Sequence, residues 1–111
     1  MPLIPQSLRQ GLEKQALIRL VNDEIDRIER SLAPSASGTR VVVCECGRAG
    51  CVDQLLVPIE EVARVSAEPF AFLVAPGHGQ PELERPVRRE PGYEIVVLLP
   101  EIQGLATELD V

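Results

Sequence analysis

Tryptophan is absent from this 111-residue chain, histidine occurs once, and phenylalanine and tyrosine together number three (Phe70, Phe72 and Tyr93). So few aromatics exclude a convincing platform for stacking nucleic-acid bases. Basic residues are also short. Eleven Lys and Arg stand against seventeen Asp and Glu, a formal charge of −6 with a pI near 4.8. That balance argues against binding driven by phosphate neutralisation. A weak local basic patch around Arg85, Arg88 and Arg89 is the one exception. No apolar run approaches the ~18–20 residues of a membrane span. Met-Pro-Leu-Ile-Pro-Gln-Ser at the start has neither the basic region nor the apolar region of a secretory signal. Three cysteines, an odd number with two of them one residue apart, fit a disulfide framework poorly. A cytoplasmic location is expected, with neither membrane nor nucleic acid as partner.

What is there concentrates in one constellation. All the cysteines fall in Cys44-Glu-Cys46-Gly-Arg-Ala-Gly-Cys51, a CxCx4C knuckle, and the only histidine, His78, sits in a Pro-Gly-His-Gly turn. On an extended strand Cys44 and Cys46 share a face and Glu45 points away. Gly47 and Gly50 let the chain double back so that Cys51 meets the same point, and they expose amides to thiolate sulfur. Three thiolates and an imidazole are the donors of a closed tetrahedral zinc site, so Cys44, Cys46, Cys51 and His78 are the expected ligands and zinc the expected cofactor. With Zn²⁺ the group carries a charge of −1, which Arg48 is placed to offset. The alternatives are a catalytic zinc with one exchangeable ligand, an iron–sulfur centre, redox-active thiols, or unliganded cysteines with His78 as an ordinary loop residue. The order of ligands differs from that of the zinc deaminases, whose histidine precedes a CxxC pair.

The chain around the knuckle reads as an α+β fold. Residues 7–32 form one amphipathic helix opened by a Ser7/Gln10 capping box. Ile18, Val21, Ile25, Ile28 and Leu32 recur on it at 3-4 spacing, widened by Leu17 and Leu20. Asp23 with Arg27 and Asp26 with Arg30 are expected as i,i+4 pairs on its exposed face. The stripe either packs on the protein's own sheet or pairs with a second copy. Pro34 and residues 35–38 make a linker.

Val41–Val43 and Val52–Val57 are expected as a hairpin with the cysteines at its tip. A short helix starts at Pro58, with Glu60 and Glu61 favourable to its dipole and Ile59, Val62 and Val65 turned inward, and ends at Pro69. Phe70–Ala75 is a further strand. Residues 82–88 and 93–99 form a hairpin around Pro91-Gly92, with Ile95–Leu99 central. The acidic tail is read as frayed or weakly helical. The divisions are therefore an N-terminal helix at 1–34 for packing or oligomerisation, a metal-binding α+β domain at 35–100 with a small, mainly antiparallel sheet, and a tail at 101–111.

The eight knuckle residues resemble the post-SET zinc knuckle of histone lysine methyltransferases, but the catalytic domain that supplies the fourth cysteine there has no counterpart here. A longer resemblance runs from Asn22 to Val97. Asn22-Asp23-Glu24-Ile25, Val43-Cys44-Glu45-Cys46 with Cys51, Phe72-Leu73-Val74-Ala75-Pro76-Gly77-His78 and Tyr93-Glu94-Ile95-Val96-Val97 are similar to small uncharacterised bacterial proteins, chiefly of actinobacteria. The resemblance implies that the four proposed ligands belong to one motif. It departs at Val57-Pro58, where those proteins tend to have a threonine able to cap the short helix.

No nucleophile–base pair can be built, because the one histidine is committed to the metal and neither a G-x-S-x-G nor a phosphate-cradling glycine loop is present. The expectation is a non-enzymatic interaction or regulatory module with an unknown protein partner, or a homodimer through the N-terminal helix. The alternatives are a small metal-dependent hydrolase or redox enzyme using Glu45, Glu60 or Glu61 as base, and a thiol/zinc stress sensor.

Overall fold

Helix-forming residues at the start of the chain produce one long helix, α1 (Gln6–Leu32), in the computed structural model, which describes residues 5–33 and 38–109. The expected linker, apart from Gly38, lies outside the described residues, as do residues 1–4 and 110–111. The Ser7/Gln10 capping box does not form. Pro5 stands at the N-cap with φ −55°, and no side chain bonds the first amides. Proline's locked φ suits a helix start, so α1 begins at Gln6 and Ser7 is already inside it.

β1 (Thr39–Val43) and β2 (Gln54–Pro58) pair antiparallel, with Val41 opposite Leu56 and Val43 opposite Gln54. The cysteines occupy the tip of this hairpin, as the sequence indicates. α2 (Ile59–Ser66) follows directly, with Pro58 as its N-cap and Val62 and Val65 buried. β3 (Ala71–Val74), β4 (Glu84–Glu90) and β5 (Tyr93–Leu98) make a second antiparallel sheet in the order β3-β5-β4. The Pro91-Gly92 turn closes it with Gly92 at φ +90°, as position i+2 of a type II turn requires.

The α+β class and the antiparallel pairing agree with the sequence reading, but the strands divide into two sheets. Glu45 joins them. Its amide donates to the Leu73 carbonyl at 2.8 Å, and its side-chain Oε1 accepts from the Leu73 amide at 2.8 Å. The acidic tail is more ordered than expected. α3 (Pro100–Glu108) buries Ile102 and Ala106 one turn apart, and burial of that pair outweighs the low stability of an isolated short helix.

The apolar spacing on α1 does not mark its docking face. Gly11, Leu12, Gln15, Asn22 and Asp26 are buried, whereas Val21, Ile28 and Leu32 are exposed and Ile18 and Ile25 half-buried. Polar groups hold the helix down. Gln15 Nε2 donates to Glu84 at 2.6 Å, and Arg19 donates to the carbonyls of Ala71 at 2.8 Å and Glu68 at 3.1 Å while lying over the Phe72 ring. Asp26 is buried against Arg40, at 2.9–3.0 Å, in addition to its pair with Arg30. Arg27 pairs with Glu24, and Asp23 instead accepts from Ser66 at 2.6 Å. Among the described residues no helix is long and apolar enough to cross a membrane.

Candidate metal centre

The hairpin ladder runs one step past β1, with the Cys44 amide donating to the Asp53 carbonyl at 2.7 Å. The chain then turns back through Gly50 at φ +78°, a conformation that costs glycine least. The Cys51 amide bonds to the Arg48 carbonyl at 3.3 Å, and Cys51 returns beside Cys46. From the other sheet, Pro76-Gly77 occupies the centre of a turn closed by the His78 amide on the Ala75 carbonyl at 2.9 Å, with Gly77 at φ +79°. That turn swings His78 over the knuckle.

The four predicted ligands converge. His78 Nδ1 lies 3.6 Å from Cys44 Sγ, 3.9 Å from Cys46 Sγ and 3.5 Å from Cys51 Sγ. All four donor atoms fall within 4.8 Å of one another, a group that could hold a metal ion. The other ring nitrogen, Nε2, faces Asp53 Oδ2 at 3.6 Å, an orientation that suits ligation through Nδ1. Cys44 and Cys46 have no solvent exposure, while Cys51 and His78 are partly exposed.

Backbone amides surround the sulfurs. The Ala75 amide donates to Cys44 Sγ at 3.2 Å, and the amides of Cys46, Arg48 and Asp53 address Cys44, Cys46 and Cys51 respectively. Burial nevertheless pushes the Cys44 thiol up to about 12 and raises Cys46 as well. For Cys51 burial acts in the same direction, but the Asp53 amide and the neighbouring thiols together hold it below the usual thiol value. Buried thiols of this kind ionise readily only when a cation replaces their protons.

Two expectations about the surroundings change. Arg48 Nη2 donates to the Gly77 carbonyl at 3.2 Å, tying the knuckle to the histidine turn rather than only offsetting charge. Gly47 is not in the left-handed region. It is needed because a Cβ there would lie 2.8 Å from both Cα and the carbonyl oxygen of Gly11 on α1. The sequence reading also missed Lys14, whose Nζ bonds the carbonyls of Arg48 and Cys51, the latter at 3.0 Å. Nothing local marks a lysine more than thirty residues from the knuckle as its neighbour.

Glu45 points away from the cysteines, as strand alternation requires. It is 1% exposed, accepts from Asn22 Nδ2 at 2.9 Å and from the Leu73 amide, and has Arg19 at 3.9 Å. Burial raises its carboxyl despite these partners. Glu61 is enclosed by Arg64 at 2.9 Å and Arg88 at 3.3 Å. None of the three acids considered as a base joins the four-residue group. In the basic patch, Arg88 is paired with Glu61 and Glu90 and Arg89 with Glu94, which leaves little net positive charge there.

Compared with known proteins, the chain matches no family model, no curated protein and no solved structure.

Proposed function

We propose that Cys44, Cys46 and Cys51 through Sγ and His78 through Nδ1 hold one zinc ion, and that the protein is a non-enzymatic, zinc-stabilised module that acts by binding another protein. The observation that carries the metal assignment is the placement of one imidazole nitrogen at 3.5–3.9 Å from all three sulfurs. Bond lengths of about 2.3 Å to sulfur and 2.0–2.1 Å to nitrogen at a tetrahedral angle give a sulfur–nitrogen edge of about 3.6 Å. Lys14 and Arg48 bring positive charge to a site that would carry −1. Four protein donors fill a tetrahedron and leave no position for water or substrate, which favours a structural role over a catalytic one. The site links the β1–β2 tip to the end of β3, so in a chain with little aromatic core the ion supplies folding free energy directly.

The test is native mass spectrometry of the wild type and His78→Ala, with thermal melts before and after chelation. One zinc per chain, weakened by the substitution and lost together with the folding transition, is expected. No zinc, or a zinc that leaves without affecting the melt, would sink the assignment. Cyanide or thiol adducts on a retained metal would show an open coordination position and an enzyme.

A second reading, a thiol/zinc sensor, is favoured by one observation: Cys51 is the partly exposed cysteine of the three, and its thiol is held below the usual value. Zinc release at low peroxide in the folded protein would support it. Release only on global unfolding would remove it.

A further inference from the structure

The first turns of α1 rest on the knuckle and on two leucines. Residues 44–53 form neither helix nor strand, yet they come into close contact with the helix. Gly47 lies so near Gly11 that a Cβ on it would be 2.8 Å from the Gly11 Cα. Lys14, the only lysine in the chain, bonds the carbonyls of Arg48 and Cys51. These knuckle contacts all fall within Cys46–Cys51. Leu8 and Leu12 add apolar contact with the core. The second half of the helix is anchored elsewhere: Arg19 on the Ala71 and Glu68 carbonyls, Asn22 on Val43, and Asp26 on Arg40.

We propose that the metal centre is a redox latch on this first half of α1: a hydroperoxide joins Cys51 to Cys46 as a disulfide, the ion leaves, and residues 6–14 come off the knuckle. The latch rests on the metal assignment made above and gives the sensor reading a defined bond and a defined motion. Access selects Cys51 as the sulfur attacked, because Cys44 and Cys46 have no solvent exposure and Cys51 is partly exposed. Position selects Cys46 as its partner. Cys44 is held by its amide on the Asp53 carbonyl at 2.7 Å and by the Ala75 amide on its sulfur at 3.2 Å. Glu45 is held by its two bonds to Leu73. Cys46 is the first residue past these ties, and its sulfur lies within 4.8 Å of that of Cys51.

The Cys51 thiolate attacks the peroxide, the oxygen–oxygen bond breaks, and a sulfenic acid forms while hydroxide takes a proton and leaves as water. The Cys46 thiolate then attacks the Cys51 sulfur. The sulfur–sulfur bond forms, the sulfur–oxygen bond breaks, and a second water leaves after protonation. Two electrons pass from two sulfurs to one peroxide. Cys44 and His78 remain, too few donors to retain zinc.

A disulfide draws its sulfurs in to about 2.05 Å, which reshapes the loop between them. Gly47 already touches the helix, so the loop has room to move only away from it. The carbonyls of Arg48 and Cys51 move with the loop, and Lys14 loses both. A short helix end held by two leucines is marginal in water. Residues 6–14 therefore fray, while residues 19–26 stay docked and the Glu45–Leu73 bonds still join the sheets.

The experiment treats the metal-loaded full chain with hydrogen peroxide and follows zinc release, disulfide formation and amide hydrogen exchange together. Zinc should leave with about one equivalent of peroxide consumed. Once free thiols are alkylated, trypsin cuts after Arg40, Arg48 and Arg64. Peptides 41–48 and 49–64 should stay joined through Cys46 and Cys51, with the alkyl label on Cys44. Exchange in residues 8–14 should rise at least about tenfold, with residues 19–26 and β5 unchanged. Lys14→Met removes the two carbonyl bonds without touching a sulfur, so it should raise exchange in residues 8–14 before any peroxide is added and keep its zinc. A disulfide through Cys44, sulfinic acid in place of a disulfide, or loss of protection throughout the chain at once overturns the latch. So does unchanged exchange in residues 8–14, whether in the disulfide form or in Lys14→Met. A chain that holds no zinc before treatment fails the metal assignment instead, and the disulfide and exchange readouts still decide the latch.

Discussion

Asn22 and Val43 are joined by two hydrogen bonds of the kind one β-strand makes to the next. Asn22 Oδ1 accepts from the Val43 amide at 3.0 Å, and Nδ2 donates to the Val43 carbonyl at 2.9 Å and to Glu45 Oε2 at 2.9 Å. A helix side chain thus closes the open edge of β1 immediately before Cys44, the first cysteine of the four-residue group. Replacing it with Asn22→Leu keeps the volume but leaves an amide, a carbonyl and a buried carboxylate oxygen without that partner. A loss of about 2–4 kcal/mol follows, read by urea unfolding of the metal-loaded protein. A change below about 0.5 kcal/mol would show that the edge is satisfied some other way.

Gly11 and Gly47 meet where α1 crosses the knuckle, but they differ in what a methyl group would encounter. At Gly47 the Cβ would lie 2.8 Å from the backbone of Gly11, while at Gly11 the nearest atom is Leu83 Cδ1 at 3.5 Å. Gly47→Ala therefore forces the helix off the knuckle, costing about 1–3 kcal/mol and quickening zinc loss to a chelator. Gly11→Ala gains up to about 1 kcal/mol of helix propensity. Thermal melts of the two variants should move in opposite directions. A common direction would count against the close approach.

Proton release offers a check on the site that needs no substitution. Cys44 and Cys46 both have thiols raised by burial, so in the metal-free fold both hold protons at neutral pH and both must lose them on binding. Apparent zinc affinity should then rise by at least about two decades per pH unit. It is strongest on the alkaline side and fades as pH falls. Competition titrations between pH 6 and 8 would show it. A flat profile would mean that the thiols are ionised before the metal arrives.

Glu84 is buried with Oε1 on Gln15 Nε2 and Oε2 on the Gln80 amide at 3.0 Å, and burial raises its carboxyl. A carboxyl raised on folding contributes most below its unfolded value, and that contribution is lost as pH climbs through the folded one. Gln15 Oε1 meanwhile has no partner. In Glu84→Gln the new amide can donate to Gln15 turned over, without a buried charge. The variant should match the wild type near pH 5 and exceed it by about 1 kcal/mol at pH 8, a melting difference of about 4 °C. A gap that narrows with rising pH would refute the argument.

How much of this was readable in advance depends on the range of the interaction involved. The four converging side chains, the hairpin that carries three of them and the Pro-Gly turns were legible in the sequence, since each rests on residue chemistry within a few positions. Cysteine and histidine are scarce enough here that the four residues stood out by their spacing, while the choice among a closed zinc site, an open one, a cluster and free thiols stayed open in the sequence. The order in α3 was not legible, because it comes from burying Ile102 and Ala106 against distant strands. Lys14 at the knuckle and the inward turn of Asp26 toward Arg40 were hidden for the same reason.

By itself, then, the sequence determined the Cys3His group, the succession of elements from α1 to β5, and the existence of one long amphipathic helix. Only the tertiary structure decided which face of that helix is used within the chain. Apolar periodicity records where a helix gains from leaving water, but it holds no record of the unpaired strand edge at Val43 or of the buried charge of Arg40. Those groups required polar partners, so Gln15, Arg19, Asn22 and Asp26 face the domain and the apolar stripe faces away.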